Sequence, residues 1–197
     1  PDGTGELADE LAEQSGGRMK VIHRPGKLGL GTAYVAGFEQ AIANGSDFIL
    51  TMDADFSHNP RYIPAMLEKA QTGYDLVIGS RVLGRREPGA LTPQARFGNW
   101  LACLLIRLFW GVRFTDLGPF RAIRHTALRA LSMRDRDYGW TVEMQVRAAQ
   151  LGQRVQEVPV SYRRRIGESK VSGTLRGVIG AGSRSDRFMW RCFCSAE

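Results

Sequence analysis

The sequence predicts an α/β fold, a mostly parallel sheet covered by helices on both faces. Strand and helix signals alternate along the chain. The strand segments "DFILTM" (47–52) and "YDLVIGS" (74–80) are apolar almost throughout rather than at every second position, as in strands buried on both faces. Size agrees, because 197 residues that are 43% apolar and 24% charged suffice for one sizeable core.

The elements follow in order. Thr4 starts a helix that ends at Gly16-Gly17, and "RMKVIH" (18–23) reads as a strand. "GTAYVAGFEQAIANG" (31–45) is a helix closed by Asn44-Gly45, and "DFILTM" is the next strand. Asn59-Pro60 open a helix that stops at Gly73; "YDLVIGS" follows, and then a loop from Arg81 to Arg96 rich in Gly, Pro and Arg. Beyond it lie the apolar helix "NWLACLLIRLFW" (99–110), a short "FRAIR" (120–124), the helix "WTVEMQVRAAQLG" (140–152) and a strand "RVQEVPVSY" (154–162) that runs into "RRRIGESK". No repeat or low-complexity segment suggests a second domain.

The net charge of +7 comes from arginine more than lysine. Guanidinium pairs with phosphate and carboxylate through two parallel bonds, so the balance favours an anionic partner: a nucleotide, a nucleic acid or an anionic membrane. Cys103 sits in an apolar run, Cys192 and Cys194 are too close together for a useful staple, and no Cys/His metal spacing occurs. Reduced thiols in a cytosolic setting are the expectation. No signal peptide is seen, and no apolar stretch reaches the roughly 20 residues that span a bilayer.

In open α/β sheets, ligands gather at the carboxyl ends of the strands. Asp53 and Asp55 stand at one such end, in "TMDADFSHNP", and Arg81 stands at another. Two carboxylates one residue apart repel, and a shared Mg²⁺ or Mn²⁺ removes the repulsion, with a phosphate-bearing ligand completing the coordination. A solvated turn in which Asp55 or Asn59 caps the following helix is the other reading. Gly29 and Gly31, just before a helix, allow bare backbone to approach a phosphate or ribose, although glycines there also serve as plain loop residues. Arg81 and Arg96 offer two guanidinium groups, and Arg163, Arg164, Arg165 and Lys170 crowd "YRRRIGESK".

Together "GKLGLGTAYVAGF", "FILTMDADFSHNP", "DLVIGSR", "FRAI", "VEMQVRAAQLGQRVQEVPVSYRRRIGESK" and the opening "PDGTGE" resemble the inverting GT-A-fold glycosyltransferases of the dolichol-phosphate mannosyltransferase type. The resemblance runs from Pro1 to about Gly182 and implies a catalytic domain over 1–182 with a separate tail over 183–197. It implies transfer of a sugar from a GDP- or UDP-sugar, held with Mg²⁺ or Mn²⁺, to the phosphate of a polyprenyl lipid. Asp55 would ligate the cation, Asp53 would bind it or the ribose, and Ser57 would be a third contact where the family often has Gln. Gly29 and Gly31 would border the nucleotide. Arg81 and Arg96 would hold the acceptor phosphate, while Arg164, Arg165 and Lys170 would close over the diphosphates. The family's "D-C-T-S-G-F-R" stands here as "DLGPFR", which carries over Asp116 and Arg121 but not the residues between them. Family members begin with two strands, the second ending in an acidic turn that reads the base. The sequence opens just after that point, so the resemblance implies that these strands lie upstream of it.

A lipid phosphate is already an anionic nucleophile, so positioning and charge neutralisation suffice without a dedicated base. A sugar hydroxyl on a glycolipid or polysaccharide would need one, and the sequence offers no unassigned carboxylate for it. A nucleic-acid-binding module fits the charge but not the two acids, nor the lack of aromatics interleaved with the basic residues. His58 reads as a loop residue, and Glu143 either meets the sugar, orients an arginine, or pairs with Arg147 one turn on. "WLACLLIRLFW" would be roughly 16 Å long as a helix, half a membrane span. It is either a core helix or an interfacial one with Trp100 and Trp110 as anchors, and it makes peripheral attachment at the cytoplasmic membrane face the expectation.

Overall fold

The computed structural model describes residues 2–26, 28–137 and 139–166. Lys170, Cys192, Cys194 and the expected tail over 183–197 lie outside the described residues. The described elements are α1 (Thr4–Gln14), α2 (Leu30–Ala43), β1 (Phe48–Thr51), α3 (Ile63–Gln71), β2 (Leu76–Ser80), α4 (Pro93–Trp110), β3 (Arg121–Arg124), α5 (His125–Leu131), α6 (Trp140–Gln150) and β4 (Val155–Pro159).

Local chemistry sets several boundaries. The Asn59 side chain accepts the Arg61 amide at 3.0 Å, and with Pro60 it starts a single 3₁₀ turn that leads into α3. The Thr92 hydroxyl likewise accepts the Ala95 amide at 3.2 Å ahead of Pro93, so α4 begins at 93 rather than at the expected 99. It stops at Gly111, whose φ of +71° is a left-handed conformation that costs other residues energy.

The sheet has the order β1-β3-β2-β4. β1, β2 and β4 point the same way, as expected of the parallel frame, but β3 runs against its neighbours on both sides. The sheet is therefore mixed, not mostly parallel in its pairing. Apolar runs report burial of both faces and carry no information on direction, which is why β3 was not distinguished. The reversal matters for the site. Thr51 at the end of β1 and Ile78 near the end of β2 both face Arg121 at the start of β3. The loop before β3 therefore reaches the same sheet edge as the carboxyl ends of β1, β2 and β4.

Helices cover both faces. On one, Leu76, Ile78 and Ile123 pack with Phe38 of α2, Cys103 and Ile106 of α4, Leu128 of α5 and Val142 and Val146 of α6. On the other, Val77 and Ala122 pack with Met66 and Ala70 of α3, Phe120 and Val160. Alternate residues of β2 and β3 thus serve opposite cores, each fully buried aliphatic side chain contributing about 1.5–3 kcal/mol.

"RMKVIH" is a further correction. Residues 19–24 form no regular element and pair with no strand among the described residues, and Met19 and Ile22 remain 39% and 45% exposed. A strand exists through its ladder, and sequence pattern alone does not supply the neighbour.

Candidate active site

β1 ends at Thr51, and the chain then turns through Asp53 and Asp55. The Thr51 hydroxyl donates to the Pro119 carbonyl at 2.6 Å, tying this end to the loop before β3. Phe56 adopts φ +62°, an uncommon conformation for a side-chain-bearing residue. Next to it, the Ser57 amide and hydroxyl both donate to Asp55 Oδ1, at 3.1 and 2.5 Å. Arg165 Nε lies 3.5 Å from Asp55 Oδ2. Burial alone would raise the Asp55 pKa, but the Ser57 bonds and the Arg165 charge outweigh it and hold the carboxyl below its ordinary value. Asp53 differs. Burial raises its pKa, the nearby Asp55 charge adds to the rise, and the hydrogen bond from Tyr34 opposes it.

The segment after β4 forms the wall opposite. Arg163 and Ile166 amides donate to the carbonyls of Ser57 and Asp55, both at 3.0 Å, and Tyr162 bridges to His58. This places Arg165 beside Asp55. Arg164 goes elsewhere, with its Nε on the Pro88 carbonyl at 2.9 Å and its amide on Glu87.

At the end of β2, Arg81 is held by Asp116 from the loop before β3. The Arg81 amide and Nε donate to Oδ2 at 2.7 and 2.8 Å, and its terminal nitrogen donates to Oδ1 at 2.6 Å. The Arg81 guanidinium also lies over the Tyr162 ring. Burial works against both charges, yet the pair's own bonds outweigh it, raising the Arg81 pKa and lowering that of Asp116.

Arg121 corrects an expectation. It is 1% exposed, and it donates to the Gly118, Thr141 and Leu117 carbonyls and to Gln145. It thus anchors the loop before β3 from below rather than meeting a ligand. Gly29 and Gly31 face protein as well: a Cβ at either would collide with the backbone of residues 135 and 136. That loop is fixed by Glu143, which accepts the Arg134 and Asp135 amides at 2.8 and 2.6 Å and pairs with Arg147 at 3.0 Å. The i,i+4 reading of Glu143 holds. His58 lies in the loop after β1, as expected, but is buried there between the Phe120 and Tyr162 rings.

Arg96 is exposed on the first turn of α4 and lines a cavity of about 580 Å³ together with Arg86, Arg113, Val82, Phe97 and Trp100. Val82 and Thr115, also in its lining, are chain neighbours of Arg81 and Asp116, so the cavity abuts the charged edge. Three of its lining residues are arginines and much of the rest is apolar. α4 buries Ala102, Cys103 and Ile106 but leaves Phe97, Trp100, Leu108 and Phe109 46–68% exposed. It is a core helix on one face and an apolar surface on the other. Among the described residues no helix is long and apolar enough to cross a membrane.

Sequence reasoning missed Tyr34, Glu157 and Gln145. Glu157 accepts the Thr115 and Asp116 amides, and Gln145 donates to the Asp116 carbonyl at 3.0 Å. No local signal marks them, because these hydrogen-bond partners lie 19 to 42 residues away.

A hard cation fits this donor set. Asp53 and Asp55 bring charged oxygens to one turn, and Arg165 supplies the positive charge beside them. Among the described residues no three His, Cys, Asp or Glu side chains cluster to hold a metal alone. Mg²⁺ is ordinarily held by one or two carboxylates with substrate phosphates completing its shell, the situation offered here. Ser57 is committed to Asp55 as a donor.

The glycosyl transferase family 2 model matches residues 1–132. Undecaprenyl-phosphate mannosyltransferase of Micrococcus luteus is 41% identical over 189 residues, which cover 91% of this chain and 74% of the relative. Polyprenol monophosphomannose synthase of Mycolicibacterium smegmatis is 36% identical over 188 residues, covering 88% and 68%. A solved structure of glucosyl-3-phosphoglycerate synthase from Mycobacterium tuberculosis, with Mn²⁺, UDP-glucose and phosphoglyceric acid, matches with a TM-score of 0.63 at 17% identity. It covers 93% of this chain, which spans 63% of that structure. At that identity the likeness concerns the fold. The chain therefore belongs to glycosyl transferase family 2, a family of glycosyltransferases, has the GT-A fold, and is similar to the polyprenyl-phosphate mannosyltransferases.

Proposed function

We propose that the protein transfers a hexose, with inversion, from a nucleotide-diphosphate sugar to the phosphate of a polyprenyl lipid, using Mg²⁺ or Mn²⁺. The observation that carries this reading is the junction of two unlike surfaces. A carboxylate pair with an adjacent arginine sits at the end of β1, and the neighbouring cavity is both apolar and lined by Arg86, Arg96 and Arg113. The first suits a metal-bound diphosphate. The second suits an amphiphile with an anionic head. The names of the two relatives support a polyprenyl phosphate acceptor and mannose as the sugar.

Asp55 and Asp53 would hold the cation, which supplies charge neutralisation on the departing diphosphate. Arg165, now on Asp55, is placed to move onto the diphosphate when the donor arrives, with Lys170 as a further candidate; Arg164 would join only by leaving the Pro88 carbonyl. Arg96, with Arg86 and Arg113 in the same lining, would meet the acceptor phosphate. Arg81 joins it only by sharing its guanidinium with Asp116. A phosphate oxygen attacks the anomeric carbon on the face opposite the leaving group; one C–O bond forms as the bond to the diphosphate breaks. The nucleophile carries no proton, so no base is required.

The exposed face of α4, with Phe97, Trp100, Leu108 and Phe109 beside Arg107, would lie at the membrane surface where such a lipid resides. A filter assay with labelled GDP- and UDP-sugars, offered short-chain polyprenyl phosphate or a glycolipid hydroxyl acceptor, tests the reading. Label in the lipid phosphate fraction is expected; label only with the hydroxyl acceptor would overturn it.

A further inference from the structure

Tyr34, in the second turn of α2, donates its hydroxyl to Asp53 Oδ1 at 3.1 Å. Its ring is held firmly. It stacks on Trp140 at 3.7 Å between centroids and 28° between planes, and Phe38 lies 6.2 Å away. Trp140 is 2% exposed, and Arg121 lies over its ring at 5.3 Å. Arg121 is in turn fixed by three carbonyls and Gln145. The start of α2 is closely packed as well, because Gly31 is seated against the backbone of residues 135–137. One hydroxyl is thus placed by three elements, α2, α6 and β3, and it is directed at Asp53.

We infer that Tyr34 is a positioning residue for the cation: its hydroxyl pins one oxygen of Asp53 and so presents the other for the metal. The inference rests on the proposed metal reading of the Asp53–Asp55 turn. Two carboxylates one residue apart splay when nothing holds them, and a charge-assisted bond from a rigid ring opposes this before the cation arrives. Partners of this kind, one bond removed from a metal, set affinity as well as geometry.

The test measures Mn²⁺ binding directly, by electron paramagnetic resonance of the free ion, on the full chain with Mn²⁺ alone and with added GDP or UDP. Tyr34→Phe deletes the hydroxyl and keeps the stack; Tyr34→Leu deletes both. We expect both variants to lose about 10–100-fold in Mn²⁺ affinity, while only Tyr34→Leu lowers the melting temperature substantially. Unchanged affinity in Tyr34→Phe overturns the inference. So does an affinity loss that follows the melting temperature, larger in Leu than in Phe, because the ring rather than the hydroxyl would then matter. Asp55→Asn separates the two levels: if it loses Mn²⁺ while Tyr34→Phe does not, the metal reading stands and the role of Tyr34 falls. If Asp55→Asn also binds as the wild type does, both fall.

Discussion

Arg81 and Asp116 meet at the sheet edge through three hydrogen bonds, two from the Arg81 side chain and one from its amide, and Asp116 is fully buried. The arginine that sequence places at an anion site is therefore also a strut between β2 and the loop before β3. Arg96, exposed on α4, has no such duty.

The two should separate on substitution. Arg81→Ala strands a buried carboxylate and should cost about 3–5 kcal/mol of stability. Arg96→Ala should leave the melting temperature unchanged and raise the KM for polyprenyl phosphate far more than that for the donor. Thermal melts with two-substrate kinetics check this; equal effects of Arg96→Ala on both KM values would remove it from the acceptor site.

Asp55→Asn should abolish turnover and the response to Mg²⁺ or Mn²⁺. The pair it breaks with Arg165 is partly exposed, so stability should change by no more than about 1 kcal/mol. Metal-dependent rates and a melt on the same preparation decide it, and near-normal metal-dependent turnover would contradict the assignment.

His58 predicts a pH effect on stability. Burial first, then the Arg81 charge, push its pKa down from 6.5 to about 4. The depressed value means that the folded state excludes a proton the unfolded chain binds below pH 6.5. The stability that this group contributes is complete above that pH and is lost as pH falls through about 4. The full loss is about 3 kcal/mol. His58→Phe, which keeps the aromatic packing between Phe120 and Tyr162, should flatten the melting-temperature profile between pH 7 and 4; an unchanged profile would show that His58 is not the group.

Membrane contact through α4 predicts that Phe97→Ser with Trp100→Ser weakens sedimentation with anionic vesicles at least about tenfold, given about 1.5–3 kcal/mol per buried aromatic side chain. The melting temperature should hold, because both side chains are more than half exposed. Undiminished binding would move the contact elsewhere.

What could be read from sequence was local. The Asn59-Pro60 start of α3 and the Asn44-Gly45 end of α2 depend on near neighbours, and so did the placing of Asp53 and Arg81 at strand ends. The direction of β3 was not legible, because it is fixed by ladder partners at 48–51 and 76–78. The structural duties of two arginines expected at the site, Arg81 and Arg121, were hidden for one reason. Arg81 meets its carboxylate 35 residues on, and Arg121 spends its donors on carbonyls that any sequence contains. Gly29 and Gly31 follow the same pattern, since the backbone of residues 135–137, more than 100 positions on, leaves no room for a Cβ at either.

In the proposed reaction a sugar leaves a nucleotide diphosphate held at Asp53 and Asp55 and joins the phosphate of a lipid. Phosphorus and proton magnetic resonance of the lipid product, formed with and without EDTA, tests it most directly. The expected product is a glycosyl phosphodiester of inverted anomeric configuration that is absent when the metal is chelated. A retained configuration, a product linked through a hydroxyl, or undiminished product in EDTA would contradict it.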